Sequence, residues 1–479
     1  MTEPSRNLGR RFLVSGLQLG LANWLTYAIN FAIQIALARI LGPESFGLYA
    51  FVLAINEFVN IIGAFSFGLA LIQDREESQS RYDTALILYG LIALVGLVIS
   101  AGVAVFLLDL RGPTAAWFLL VMAGSRFFLL AAQIPQARLE RDLRYAVVSA
   151  ATAVSGVVPN LFALGLAVLG VGPWALVIRD FLTPLLQMVI LWVWSGYRFR
   201  GEWSREAVER LMPFARKMFM AQGLMILLNR VDRVAVGVFF GNVATGLYDR
   251  ARFLAEVGYL ISRPISQLSF NLYARTQDDR ARLGRGYHLL NYFMARVMLM
   301  GSATLLVFPE ETVRLILGDD WIEAAPILRW LALYGGLFPV FVNVRLLFFG
   351  TGNVNKTVLA NLIQLLIFVP GVIVAGFWGG PTWMAASLLV SMLVAFGVSR
   401  RWVVAYVDPG GESMRTPLGC LAAVAIGFLA ADLAGWLDPL PWLLLPFLPP
   451  IAYLALLGLI EGRRLLREFR YFRALLAGS

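Results

Sequence analysis

The sequence predicts an all-α polytopic membrane protein of about 14 transmembrane helices, built as two pseudo-symmetric six-helix lobes plus two C-terminal helices. Three observations predict it. Apolar runs long enough to cross a bilayer recur from end to end. The 479 residues are 59% hydrophobic and 15% charged, whereas a soluble domain carries roughly 25% charged residues. Short motifs recur at an offset close to 200 residues. The apolar runs are continuous rather than alternating, which argues against a transmembrane β-barrel.

Fourteen runs fit as spans: 12–40, 46–72, 84–108, 114–136, 145–170, 173–195, 212–240, 245–275, 286–308, 323–350, 355–378, 382–406, 417–434 and 441–460. Near the start, Arg10-Arg11-Phe12-Leu13 faintly resembles an export signal, and Ala36-Leu37-Ala38 faintly resembles a cleavage site. The stretch is too long for a signal h-region, and Asn23, Asn30 and Gln34 interrupt it, so it reads as an uncleaved first span. Loop cations set the orientation. With the N-terminus inside, the inner segments hold most of the loop arginines, including Arg138, Arg141 and Arg144, then Arg198 to Lys217, then Arg275 to Arg285. The outer loops hold only Arg111 and Arg314. Both termini are therefore expected in the cytoplasm. The tail from Glu461 to Arg473 is basic and is expected on the inner membrane surface.

The repeat is read from three pairs. Leu41 to Tyr49 and Phe240 to Tyr248 are each a turn followed by Gly-Leu-Tyr opening a helix. Gly172-Pro173-Trp174 is matched by Gly380-Pro381-Thr382-Trp383, and Pro159 by Pro370. The expected divisions are a first lobe at 1–195, an inter-lobe loop at 196–211, a second lobe at 212–406, two further spans within 407–460 and a tail at 461–479. Each copy holds an even number of spans, so the copies are parallel, and a substrate site is expected between them near the bilayer midplane.

The spans at 212–240 and 245–275 carry more charge than membrane helices normally tolerate. A charge at the centre of a spanning helix costs about 2.5–3.5 kcal/mol on insertion scales. Asp249, Arg252, Glu256, Tyr259, Arg263 and Gln267 share one helical face. Asp249–Arg252 and Arg252–Glu256 can pair along that helix. Arg263 has no acidic neighbour within a turn and is followed by Pro264. Gln222, Asn229 and Arg233 share a face of the preceding span, with Arg230 and Asp232 beside it. The first span has a neutral polar face, Asn23, Tyr27, Asn30 and Gln34, suited to sugar hydroxyls or to helix–helix contacts. Asn56, Glu57 and Asn60 follow on the second span, where Glu57 is a candidate proton carrier. Arg126 and Arg296 are the deepest of the remaining arginines, while His288 reads as an interface residue.

Buried arginines outnumber the carboxylates Glu57, Asp180, Asp232, Asp249 and Glu256, so a cationic cavity and an anionic substrate are expected. Candidate cavity cations are Arg263, Arg126, Arg230, Arg233 and Arg296. Asn23, Tyr27, Asn30, Asn56, Asn60 and Asn229 are candidate polar contacts. Glu57, Asp232, Asp249 and Glu256 are candidates for coupling or ion pairing.

Other chemistries find little support. One cysteine, Cys420, permits no intrachain disulfide, and one histidine argues against a His-rich metal centre, so no cofactor or metal is expected. The net charge of +10 fits topology and an internal cationic surface; no basic–aromatic module points to nucleic acid. The longest outer loop, near Pro309 to Ile322, holds acidic residues but no histidine, which argues against an enzyme.

The sequence resembles the polysaccharide-transport flippases of the multidrug/oligosaccharidyl-lipid/polysaccharide exporter superfamily. The resemblance is carried by Ala38 to Tyr49, Phe67 to Gln73 and Asn229 to Tyr248, and covers nearly the whole chain. Pro135 to Tyr145, with Gly170 to Val177, is similar to the colanic-acid-exporter-like branch. The resemblance implies two six-helix lobes opening alternately to each side. It implies an undecaprenyl-pyrophosphate-linked oligosaccharide moved from the inner to the outer leaflet for O-antigen or exopolysaccharide synthesis. It also implies a cavity lined by spans one, two, seven and eight, with Arg263 as the strongest carry-over, and a cation gradient as the drive. Polymerase or glycosyltransferase machinery and the bacterial inner membrane are the implied surroundings. A peptidoglycan-precursor flippase and a multidrug/cation antiporter of the same superfamily are the alternatives, and a membrane-embedded polymerase or ligase is a more distant one.

Overall fold

The computed structural model describes residues 3–74, 76, 78–407, 412–437 and 440–476. Side chains are described in those ranges except at 3–25, 62, 64, 73, 221, 222, 225, 259–261, 263–265, 267, 268, 271, 412, 413, 465 and 469–476. The described elements are helical. They are α1 (Glu3–Val59), α2 (Phe67–Gln73), α3 (Gln79–Arg111), α4 (Pro113–Arg141), α5 (Tyr145–Val168), α6 (Trp174–Ser195) and α7 (Arg205–Thr276). They continue as α8 (Arg280–Val307), α9 (Pro309–Ile316), α10 (Ala325–Gly350), α11 (Val354–Trp378), α12 (Pro381–Val403), α13 (Glu412–Leu433) and α14 (Leu448–Leu476).

Eleven helices among the described residues are long and apolar enough to span a membrane. The difference from fourteen has a physical origin. The first two expected spans merge in α1, and the two charged spans lie in α7, whose charges depress their hydropathy. The outward faces are apolar, as lipid requires: Leu94, Val98 and Val105 of α3 are each more than half exposed. Its opposite face is narrow, with Ala85, Ala93, Gly96, Ser100 and Ala104 buried. Small residues of this kind let membrane helices approach closely.

The chain forms two compact units, Met1–Val234 and Ala235–Ser479. In the first, α3 packs on α4, α4 on α6 and α5 on α6. In the second, α8 packs on α10, α10 on α12 and α11 on α12. The internal order is therefore repeated. Gly42 (φ 69°, ψ 173°) and Gly241 (φ 85°, ψ −172°) are the non-helical residues inside α1 and α7. This region of backbone space is accessible essentially only to glycine, so the turn read from sequence has the same geometry in both copies. The tyrosine of the first Gly-Leu-Tyr motif also has a role. Tyr49 donates to Asp180 at 2.7 Å and accepts from Arg179 at 2.6 Å, joining α1 to α6.

Each unit carries a polar lock at a similar place in its repeat. In the first, the Gly68 amide donates to Tyr89 (3.0 Å), whose hydroxyl donates to Gln133 (2.7 Å). In the second, Tyr273 donates to Asn343 (2.9 Å), whose amide donates to Asn291 (3.0 Å). The last two helices are fixed differently. Glu461 of α14 is buried and accepts from Arg296 of α8 at 2.6 Å, while the Tyr292 hydroxyl donates to the same carboxylate at 3.1 Å. The Arg296 guanidinium lies 3.4 Å from the Tyr292 ring centroid. Glu461 reads from the sequence as the first residue of a tail, but the helix continues through it.

Removing one member of a buried ion pair strands the other, at about 3–5 kcal/mol. Glu461→Ala should therefore lower the thermal unfolding midpoint in detergent micelles sharply, and pairing Arg296→Met with Glu461→Leu should recover most of the loss. Gly42→Ala should cost about 1–3 kcal/mol from backbone strain alone, because no atom lies within 4 Å of the added methyl group. Gly90→Ala, inside α3 with equally open space, should be neutral or stabilising in the same assay.

Candidate functional site

The first unit contains an interruption that the apolar pattern does not announce. α1 ends at Val59, residues Asn60–Ala64 form a 3₁₀ turn, and Phe65 and Ser66 leave helical geometry before α2 begins. A broken helix frees backbone carbonyls, and in a membrane these require polar partners or a lined cavity. Asn60 supplies part of the answer: its amide donates to the Asn56 carbonyl (2.6 Å) and side-chain oxygen (2.8 Å). Arg126 of α4 supplies the rest, donating from Nη2 to the freed Asn60 carbonyl at 3.4 Å.

One turn before the break, Glu57 forms an ion pair with Arg230 of α7, and each of these side chains is 25% exposed. The Glu57 charge also acts on Arg126. Arg126 Nε is buried and has no hydrogen-bond partner among the described residues. Arg230 is thus paired with Glu57, and Arg126 lies by the break with its Nε donor unused among the described residues. Planar guanidinium forks suit phosphate oxygens, which they can bind bidentately.

Local packing positions Arg230. Running antiparallel to the break, α7 stacks Phe219 on Phe65 at 4.6 Å and brings Gly223 against Ile61. The start of α7 is held by Arg210, which pairs with Glu76 at 2.9 Å. Arg81 also donates to Glu76. That hydrogen bond, with the Arg210 charge, holds the Glu76 carboxyl below its usual range. The loop before α7 wraps over Asp83, which accepts from Tyr197 (2.5 Å) and from the Arg200 (2.9 Å) and Glu202 (3.1 Å) amides.

The other sequence-derived candidates are distributed more widely. Asn30 accepts from Asn160 of α5 at 3.2 Å, and Gln34 donates to Asn160 at 3.3 Å, so this part of the first polar face contacts a neighbouring helix. Tyr27 is exposed. Asp232 is fully buried and accepts from the Arg233 amide at 2.9 Å, while Arg233 Nη1 donates to the Asn229 carbonyl at 3.1 Å. In the second unit Asp249 pairs with Arg250 at 2.7 Å, Glu256 with Arg252 at 2.7 Å, and Arg296 with Glu461. The Asn23 and Arg263 side chains lie outside the described residues. Sequence reasoning missed Asn160 and Glu461 as partners. Asn160 sits beside the noted Pro159, and an isolated acid in an apolar helix was the available signal for Glu461.

Residues 36–326 match the family described as polysaccharide biosynthesis protein. ExoT of Rhizobium meliloti (strain 1021), named a succinoglycan biosynthesis transport protein, is 25% identical over 316 residues, covering 65% of this chain and 64% of ExoT. The match thus spans slightly under two thirds of that relative. WzxC of Escherichia coli (strain K12), named a lipopolysaccharide biosynthesis protein, is 21% identical over 374 residues, covering 75% of this chain and 74% of WzxC. The lipid II flippase MurJ, in an inward closed conformation, superposes with a TM-score of 0.72 at 14% identity, over 94% of this chain and all of MurJ. An inward-facing multidrug resistance MATE transporter gives 0.66 at 15% identity, over 80% of this chain and 95% of its own. At these identities the structural likeness carries the fold. The chain belongs to the polysaccharide biosynthesis protein family and has the polytopic helical fold shared by MurJ and the MATE transporters.

Proposed function

We propose that the protein is a flippase for an undecaprenyl-pyrophosphate-linked oligosaccharide, not an enzyme. It moves that lipid from the inner to the outer leaflet of a bacterial inner membrane, for O-antigen or exopolysaccharide synthesis. It works by alternating access through a cationic cavity, with both termini in the cytoplasm, upstream of the polymerase and glycosyltransferase machinery that handles the glycan. The observation that carries this reading is the pair of guanidinium groups at the helix break, Arg230 on Glu57 and Arg126 on the Asn60 carbonyl. A pyrophosphate entering a bundle loses hydration, and preplaced guanidinium groups offset that loss. A cation antiporter needs the opposite balance, with carboxylates in surplus.

Complementation of a flippase-deleted host, scored as surface polysaccharide at equal expression, tests both function and site. Wild type should restore export. Arg126→Ala and Arg230→Ala should each lower it by about tenfold or more, the loss expected for one charge-assisted hydrogen bond. Arg263→Ala belongs in the same series. Full rescue by the Arg126 and Arg230 variants would discard the cluster as the binding site but keep the function. Failure of wild type across hosts with different lipid-linked glycans would discard the function.

A further inference from the structure

The same helix break opens an apolar groove beside the arginine cluster. Phe65, Phe67, Leu88, Leu91, Val95 and Met212 line a recess of about 210 Å³. Its floor is the stacked pair Phe65 and Phe67, with ring centroids 6.0 Å apart. Its rim is open, since Leu91 and Val95 are 51% and 48% exposed. Groove and cluster are neighbours along the chain at two points. Val95 precedes Gly96, where a Cβ would lie 3.1 Å from Asn60 Oδ1. Phe65 follows Gly63 by two residues, and a Cβ on Gly63 would lie 3.6 Å from Arg126 Nε. A ligand reaching from the guanidinium groups toward α3 would pass from a cationic wall to an apolar one.

We infer that this groove seats the polyprenyl chain of the lipid-linked substrate nearest its diphosphate, while the diphosphate lies at Arg126 and Arg230. The inference rests on the transport reading above and adds the place where the lipid chain lies. Lipid tails are as apolar as leucine, so the groove gains no hydrophobic energy over the bilayer. Its contribution is positional: it holds the first prenyl units in register with the headgroup. The matching stretch of α7 in the second unit has no such break, its backbone staying helical from Asn242 through Thr276.

The test uses the full chain reconstituted in vesicles. A photoreactive residue replaces Leu91 or, as a control, Val98, which is 64% exposed on the same helix and outside the groove. The probes are alkyne-tagged undecaprenyl diphosphate carrying one sugar, and alkyne-tagged phosphatidylethanolamine. The polyprenyl probe should label position 91 well above position 98, and the untagged polyprenyl compound should suppress phospholipid labelling at 91. Equal polyprenyl labelling of both positions, or phospholipid labelling at 91 that substrate leaves unchanged, would overturn the inference.

A second measurement fills the groove from its exposed rim, where misfolding is least expected. Leu91→Trp and Val95→Trp should slow translocation of the undecaprenyl compound about tenfold, the rate equivalent of an overpacking penalty. They should leave an analogue with a methyl group in place of the prenyl chain, which has nothing to seat in the groove, within about twofold of wild type, whereas Arg126→Ala should impair both. Groove variants that slow neither compound, or both equally, overturn the groove and leave the transport reading standing. A wild type that moves neither compound removes both.

Discussion

An ionised side chain among apolar helices must bring its counter-ion with it, and the first unit depends on how Glu57 meets that demand. Its carboxylate is held by Arg230 and lies within the field of Arg126. The pair ties α1 to α7 at a fixed depth, and the antiparallel contacts Ile61 with Gly223 and Phe65 with Phe219 follow in register from it. The helix can then break at Asn60, because Arg126 is at hand to take the freed carbonyl. Without the arginines the break would leave backbone groups unsatisfied in hydrocarbon, at several kcal/mol each. Without the break, Arg126 would lose that carbonyl acceptor.

The second unit meets the same demand by closing its pairs. Arg252 takes Glu256 one turn away and lies 5.8 Å from the Tyr334 ring centroid, and Arg250 takes the adjacent Asp249. Arg296 takes Glu461 with bidentate geometry and an aromatic neighbour. Arg345 reaches Asn361 at 3.1 Å and lies over Phe341. Arg250, Arg252, Arg296 and Arg345 are all buried. They add packing and orientation to that unit: Arg250, Arg252 and Arg296 have carboxylate partners, and Arg345 has an amide oxygen and a ring face. Among the described residues, the first copy thus places Arg126 beside a break, while in the second Arg250, Arg252 and Arg296 pair with carboxylates of their own unit.

Much of the fold was legible because membrane helices are long and the repeat carries glycine at a position no other residue fills without strain. Gly42 and Gly241 were read as turns from a short shared motif, and the backbone confirms both at positive φ. Arg252 with Glu256 was likewise readable, since four-residue spacing suffices to predict the pair. Partners distant in sequence were not readable. Asn160 meets Asn30 across 130 residues and Glu461 meets Arg296 across 165. Periodicity can place each on a helix face but cannot choose among faces. The break at Asn60 was also hidden: Asn60-Ile61-Ile62-Gly63-Ala64 contains no proline and only one glycine, so local propensity permits a helix there. The local bond from Asn60 back to Asn56 and the tertiary contact of Arg126 override it.

The hidden element is also the one with the most chemical capacity. A continuous apolar helix presents one kind of surface along its length. A helix broken at Asn60 and resumed at Phe67 places a freed carbonyl and side-chain donors on one side of the interruption and aromatic rings on the other. The polar side has collected Asn56, Arg126 and, through Glu57, Arg230; the apolar side has collected Phe65, Phe67 and the rim of α3. A single backbone interruption therefore produces an amphipathic surface across a few residues, a scale that matches the junction between a charged headgroup and a hydrocarbon chain. In the second copy the same stretch of α7 remains helical. The repeat thus supplies the scaffold twice, and the departure from it in the first copy supplies the proposed site.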